Sequence, residues 1–390
     1  MSLGGVSYND ERDCGLSAER RKRITLLFLG STGAGPVYSF EMAKALAATE
    51  KYEMQVVLSK RIYNLSEWEE HFLECKKTRL DVVDTYKHNK LSYAISLLEI
   101  WKVKRVVNII KQYQPEILYI PFPSPWDFRL MPMLCKFTKI VTTLHDPHPH
   151  DIVSNPFARY IEKQNRESLK KVHTIIILNN GDVDYVKKEY GKPVYVIPHA
   201  SFSYYAKGIK VSDEIKNTIG FIGRIEPYKG LDLLVEAFQR INDSSLHLII
   251  AGSGVIDTKL KQTINNDKRI ELINRYIQDE EFSELIGRMD YVVLPYKRAS
   301  QSGVIPLVFS HGKPVIVTNV GALEEQVPDG TGVVVDASAK SLKDAIVEIY
   351  DQPNHIYKMG RKAFEYANKE LTWTHSAELL MSIIEKSDKQ

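Results

Sequence analysis

The sequence predicts an α/β fold made of two doubly wound parallel sheets. Three observations point there. Short runs rich in Val, Ile and Leu alternate with helix-period segments along almost the whole chain, the pattern of parallel strands covered on both faces. The rhythm breaks after "VYVIPHASFSYYAKG" in a polar, glycine-containing connector and restarts at "NTIGFIGRIEPYKGLDLLVEAF". A chain of 390 residues is long for one hydrophobic core, and an apolar share of 44% is ample for two.

In chain order, residues 1–22 are polar and lack an apolar h-region, so they read as a flexible lead-in and not as a signal peptide or membrane span. The first domain, 23–205, is expected to hold strands at Ile24–Leu29, Met54–Leu58, Ile117–Ile120, Ile140–Leu144, Thr174–Leu178 and Val194–Ile197. The linker falls near Ser201–Lys216. The second domain, 206–369, repeats the plan with strands at Ile219–Ile222, Leu246–Ala251, Ile270–Ile273, Tyr291–Leu294, Val315–Thr318 and Gly332–Val335. No uncharged apolar run is long enough to cross a bilayer.

Lysine plus arginine number 52 against 49 aspartates plus glutamates, a balance too even for a nucleic-acid binder, so any anion site is local. Cys14, Cys75 and Cys135 are odd in number and far apart, which predicts a reducing compartment, the cytoplasm, and no disulfide framework.

Each domain opens on a strand, a glycine turn and a helix. In "FLGSTGAGPVYSFEMAKAL", Gly30 and Gly35 have the spacing of a Walker A loop, yet Pro36 stands where its lysine belongs. Gly30, Gly33 and Gly35 also miss the dinucleotide-binding spacing. Positive charge appears instead in the second domain's "GRIEPYKG", with Arg224 just past a strand end and Lys229 just before a helix. Two cations beside free helix amides suit a diphosphate; the alternative is a pair of solvated loop residues.

"GFIGRIEPYKGLDLLVEAF" closely resembles the G-R-x-x-x-x-K-G signature of family-4 retaining glycosyltransferases of the GT-B fold. The resemblance continues through "LHLIIAGSG", "NRYIQDEEFSELIGRMDYVVLPY", "GKPVIVTNVGALEEQV" and "TGVVVD", covering nearly the whole second domain. In the first domain it is looser, resting on the glycine loop, "TLHDPHPHD" and "VIPHA". It implies two Rossmann-like domains facing across a cleft. Arg224 and Lys229 would grip the donor's diphosphate, and Gly33 and Gly35 would let the first domain's backbone approach it. His145 would face the donor sugar with Asp146 in support and His199 as a further sugar contact. The base would lie near Gly252, Arg275, Tyr276 and Ile277, with Glu280 or Glu281 starting the next helix. The segment 370–390 resembles the closing helix that crosses back to the first domain.

One motif departs from the family. A Glu-x7-Glu pair is usual before "GKPVI", but its two positions fall near Ala299 and Leu307, and no carboxylate occurs between Asp290 and Glu324. Ser300, Gln301 and Ser302, before a helix beginning near Gly303 and Val304, offer hydroxyl, amide and backbone donors to the sugar and β-phosphate; the alternative is a capping serine among ordinary loop residues. The run "SQSGV" resembles a variant within the family.

His145, Asp146, His148, His150 and Asp151 crowd one strand end and invite a metal. Pro147 and Pro149 stiffen that stretch, so neighbouring histidines do not readily converge, and no metal or other cofactor is expected. The helix-period segment ending "WKVKRVVNIIKQY" carries Lys102, Lys104 and Arg105 in one turn. It packs on its own sheet, or else it meets an anionic membrane surface where a lipid-linked acceptor lies.

The expected protein is therefore a cytoplasmic, metal-independent, retaining glycosyltransferase. It would move a sugar from a UDP- or GDP-sugar to a hydroxyl of a glycan or lipid-linked acceptor in cell-surface polysaccharide synthesis, with peripheral contact at the inner face of the membrane. The alternatives are a nucleoside-diphosphate-sugar epimerase on the same plan, or a non-catalytic sugar-nucleotide-binding partner of another transferase.

Overall fold

The computed structural model describes residues 21–75, 77–86, 99–148, 156–202, 211, 214–278 and 280–387. The first sheet contains β1 (Arg23–Phe28), β2 (Glu53–Ser59), β3 (Thr78–Val83), β4 (Ile117–Ile120), β5 (Lys139–Thr143), β6 (Thr174–Ile177) and β7 (Val194–Val196), in the spatial order β3-β2-β1-β4-β5-β6-β7. The second contains β8 (Thr218–Ile222), β9 (His247–Ala251), β10 (Ile270–Ile273), β11 (Tyr291–Leu294), β12 (Val315–Thr318) and β13 (Gly332–Val335), ordered β10-β9-β8-β11-β12-β13. All pairings are parallel. In each sheet the order reverses once, between β1 and β4 and between β8 and β11. Such a switch point opens a crevice beyond the strands' carboxyl ends, because the flanking connections leave to opposite faces.

The central strands β4, β6, β11 and β12 are buried at every position, which is why they read as unbroken apolar runs. Strand β3, "TRLDVV", is not among the expected strands. It is an edge strand that pairs with β2 alone, so Arg79 and Asp81 stay on it without interrupting a core. Gln55 reinforces the pairing by donating to the Asp81 carboxylate at 2.7 Å.

Each sheet separates two apolar layers. The Pro353–Lys369 helix packs on the second sheet through Ala363 and Ala367. The final helix, Trp373–Ser387, does not stay there. Its Trp373, Leu380, Met381 and Ile384 join Tyr38, Met42 and Leu46 of the Gly35–Ala48 helix in the first domain's core. The chain thus crosses between domains twice, and the two crossings touch where Ser201 N–H donates to the Leu371 carbonyl at 2.7 Å.

Candidate active site

The glycine loop joins β1 to the Gly35–Ala48 helix at the first switch point. Gly33 is exposed with φ +80, and a Cβ there would meet nothing within 4 Å, so this backbone stays open to the crevice. Gly35 is buried for a different reason: a Cβ would lie 2.9 Å from the Phe28 ring and 3.2 Å from that of Phe122. Pro36 sits in the helix's first turn, where no amide hydrogen is required. The Walker lysine position has become a helix start.

In the second domain, the loop after β8 carries Arg224 and Lys229. Among the described residues, the exposed Arg224 guanidinium makes no hydrogen bond or ion pair. Lys229 differs from the expected cleft-loop lysine. It is only 9% exposed, its Nζ donates to the Tyr296 hydroxyl at 2.7 Å and lies 4.6 Å from that ring's centroid, and burial pushes its pKa down. No carboxylate among the described residues lies within ion-pair distance of it. A buried cation whose one hydrogen-bond partner among the described residues is a phenol is costly, and a bound anion would offset the cost. Tyr296, pushed up to about 12 by burial, stays neutral and passes the contact on: its hydroxyl is 3.3 Å from Ser302 Oγ, which accepts from Val304 N–H at 3.3 Å.

The Ser300–Val304 loop follows β11 and leads into the Val304–Ser310 helix. Gln326 holds the loop from behind, its Oε1 accepting from Ser302 N–H at 2.7 Å and its Nε2 donating to the Ser302 carbonyl at 3.2 Å. Ser302 is therefore turned inward, and Gln301 Oε1 is buried without a hydrogen-bond partner among the described residues. Asn179 of the first domain donates to the Ser300 carbonyl at 3.3 Å. Gly303 faces His199, whose Nε2 would be 3.6 Å from a Cβ there. These contacts bring the two domains' loops together.

His145 lies two residues past β5 and is buried, with Nε2–H donating to the Pro121 carbonyl at 2.9 Å. Its ring meets Tyr38 edge-on at 4.6 Å and Phe122 at 4.0 Å, and burial lowers its pKa to about 3. Tyr38 also touches His199 at 5.6 Å and Trp373 at 4.9 Å, so one ring joins the glycine-loop helix, both histidines and the returning helix. A cavity of about 350 Å³ beside His145 is lined by Phe122, Ser124, Asp146, Asn165 and Arg166 among others. Arg166 donates to the carbonyls of Asp146, Pro147 and His148, which fixes the loop after β5.

His148 is drawn away from His145 by the Asp182 carboxylate at 2.8 Å. Among the described residues no three metal-ligating side chains converge; His150 and Asp151 lie outside them. Gly252, with φ +150, presses against the Gly223 carbonyl, 1.8 Å from where a Cβ would be, so it seats the Arg224 loop. Arg275 is bound to the Glu281 carboxylate at 2.8 and 2.5 Å, Tyr276 is 66% exposed, and Ile277 belongs to the second domain's core. Of the four expected at the base, Gly252 and Ile277 are packed inward and Arg275 is held by Glu281, which leaves the Tyr276 ring exposed. On the Ile100–Tyr113 helix, Lys102 pairs with Asp84 and Glu99, whereas Trp101, Lys104 and Arg105 are exposed. Among the described residues no helix is long and apolar enough to cross a membrane. Cys75 and Cys135 are free thiols; Cys14 lies outside the described residues.

Sequence reasoning missed Tyr296, Gln326 and Tyr38. Tyr296 had a signal, its place just past a strand end at a switch point. Gln326 and Tyr38 act through contacts that no local pattern encodes.

The comparisons with known proteins bear on the family and the fold. The family model described as Glycosyltransferase Family 4 matches residues 35–200, and that described as Glycosyl transferases group 1 matches residues 216–352. The chain belongs to the family-4 glycosyltransferases of the GT-B fold. Among curated members of this glycosyltransferase group, it is 30% identical over 181 residues to D-inositol 3-phosphate glycosyltransferase of Corynebacterium glutamicum, covering 42% of each chain. It is 24% identical over 195 residues to GDP-mannose:glycolipid 4-beta-D-mannosyltransferase of Xanthomonas campestris, covering 48% of this chain and 52% of that one. The match spans about half the length of these relatives. The solved sucrose-phosphate synthase of Thermosynechococcus elongatus shares the fold, with a TM-score of 0.70, 16% identity, and 94% and 99% of the two chains covered.

Proposed function

We propose that this chain is a retaining, metal-independent glycosyltransferase that moves a sugar from a nucleoside-diphosphate sugar to a hydroxyl of a glycan or lipid-linked acceptor. The observation that carries it is the pair Arg224 and Lys229 at the second switch point, two cations without carboxylate partners among the described residues, one of them buried. They supply the charge that the lysine-less glycine loop lacks. As the bond between the anomeric carbon and the β-phosphate oxygen breaks, they stabilise the growing negative charge, with no reorganisation needed. A leaving phosphate oxygen takes the acceptor's proton while the acceptor oxygen bonds to the same face of the sugar. No carboxylate pair is needed, unlike in a glycosidase.

The relatives' names include GDP-mannose and a glycolipid, which favours a GDP- or UDP-sugar donor and cell-surface glycan synthesis here. The cavity beside His145 is where the acceptor would enter. Exposed Trp101, Lys104 and Arg105 suit peripheral contact with the inner face of a membrane. A cytoplasmic location fits a nucleotide-sugar substrate.

Thermal-shift measurements with UDP, GDP and their sugars, in chelator, test this. A diphosphate at a hundred times its Kd adds about 2.7 kcal/mol to stability and raises Tm. No shift with any of them would remove the donor site. Product analysis then separates the rivals: an epimer formed without acceptor indicates an epimerase, and binding without even donor hydrolysis indicates a non-catalytic partner.

A further inference from the structure

A second set of contacts crosses the cleft, away from the cations. The loop after β6, Asn179–Gly181, leads into the Val183–Tyr190 helix and is pinned by Asp182, whose N–H donates to Asn179 Oδ1 at 2.9 Å and whose carboxylate accepts from Asn179 Nδ2 at 2.9 Å. This presents successive backbone amides to the second domain. Glu325 receives them: Asn180 N–H lies 2.8 Å from each carboxylate oxygen, Gly181 N–H is at 3.3 Å, and the Asn180 side-chain amide donates as well. The next residue, Gln326, grips both backbone groups of Ser302. One turn of the second domain therefore holds the Ser300–Val304 loop with one side chain and the first domain with its neighbour.

We propose that Glu325 is a positioning residue, a latch that closes the first domain onto the second and fixes the Ser300–Val304 loop for donor binding. The proposal rests on the glycosyltransferase reading above. A carboxylate that accepts several N–H groups at the start of a helix makes charge-assisted bonds, stronger than neutral ones and favoured by the helix dipole. Closure also brings Asn179 to the Ser300 carbonyl, so the same motion that forms the latch completes the loop's support. Because Asp182 also holds His148, the loop that follows His145 is tied into the same set.

The test uses the full chain as wild type, Glu325→Gln, Glu325→Lys and Glu325→Asp. Small-angle scattering gives the radius of gyration, calorimetry gives the Kd for UDP and for GDP, and Tm reports folding. Glu325 is exposed, so Tm should hold in all variants. The Gln and Lys variants should have a larger radius and bind the preferred diphosphate on the order of tenfold more weakly, as loss of charge-assisted hydrogen bonds implies; Asp should recover part of both. An unchanged radius or an unchanged Kd in Glu325→Lys overturns the latch. If the wild type binds neither diphosphate while the radius still responds, the latch stands as a domain contact, and its role in donor binding falls with the functional reading.

Discussion

His145 shows how burial assigns a residue its chemistry. Its ring lies among Tyr38, Phe122 and the Pro121 carbonyl, and its pKa falls to about 3 from an ordinary 6.5. It is neutral in the working range, so in the proposed reaction it would offer a dipole and not a proton. The same shift makes stability depend on pH. Between pH 6.5 and 3 the unfolded chain binds a proton that the native ring refuses, so this contribution is complete above 6.5 and is lost as pH falls. Going from pH 7.5 to 5.5 should lower unfolding stability by about 1.4 kcal/mol through this group. Urea titrations of wild type and His145→Phe at both values should differ by that amount; equal losses would mean that the ring is not shielded from protons. The position of His145 at a strand end was legible in "TLHDPHPHD". Its acceptor, Pro121, is 24 residues earlier and was not, because only the packing of β4 beside β5 brings them together.

At the scale of elements, the buried strands announced themselves and the edge strand did not. Strands β4 and β11 have no polar position and coincide with the expected ranges, while "TRLDVV" alternates charge with apolar residues because one side of it has no neighbour strand. The loops that build the site were legible as sequence but not as contacts. Gly321 illustrates the gap. It lies in "NVGALEEQV" with φ +57, and a Cβ there would be 1.5 Å from the Ala299 carbonyl oxygen, directly behind Ser300. Gly321→Ala should therefore destabilise by about 1–3 kcal/mol and weaken diphosphate binding by displacing the Ser300 loop. Gly287→Ala is the control. That glycine ends the Glu281–Gly287 helix with nothing within 4 Å of a Cβ, and alanine should be neutral or stabilising by about 0.5–1 kcal/mol. Chemical denaturation of the two variants checks the contrast; equal effects would mean that the Ala299 backbone yields freely.

At the scale of the molecule, two sheets built on the same strand order are joined by loop contacts such as Asn179 to Ser300, and the charge is divided unequally between them. To the proposed site the first domain would contribute an open glycine backbone, His145 and a cavity, and the second Arg224 and Lys229. Lys229 is buried with no carboxylate in ion-pair distance among the described residues, so function and stability should separate on substitution. The decisive measurement is turnover of Lys229→Met at saturating donor, taken beside its Tm. Methionine keeps the apolar stem and removes the charge, so Tm should be unchanged or higher while turnover falls on the order of a hundredfold or more, the usual loss for a preorganised leaving-group stabiliser. Arg224→Ala should fall alike, and Arg224→Lys should recover only part, since a point charge lacks the bidentate grip. Near-normal turnover of Lys229→Met at saturating donor would show that the buried cation does not act on the leaving diphosphate, and the chemistry would have to lie elsewhere in the cleft.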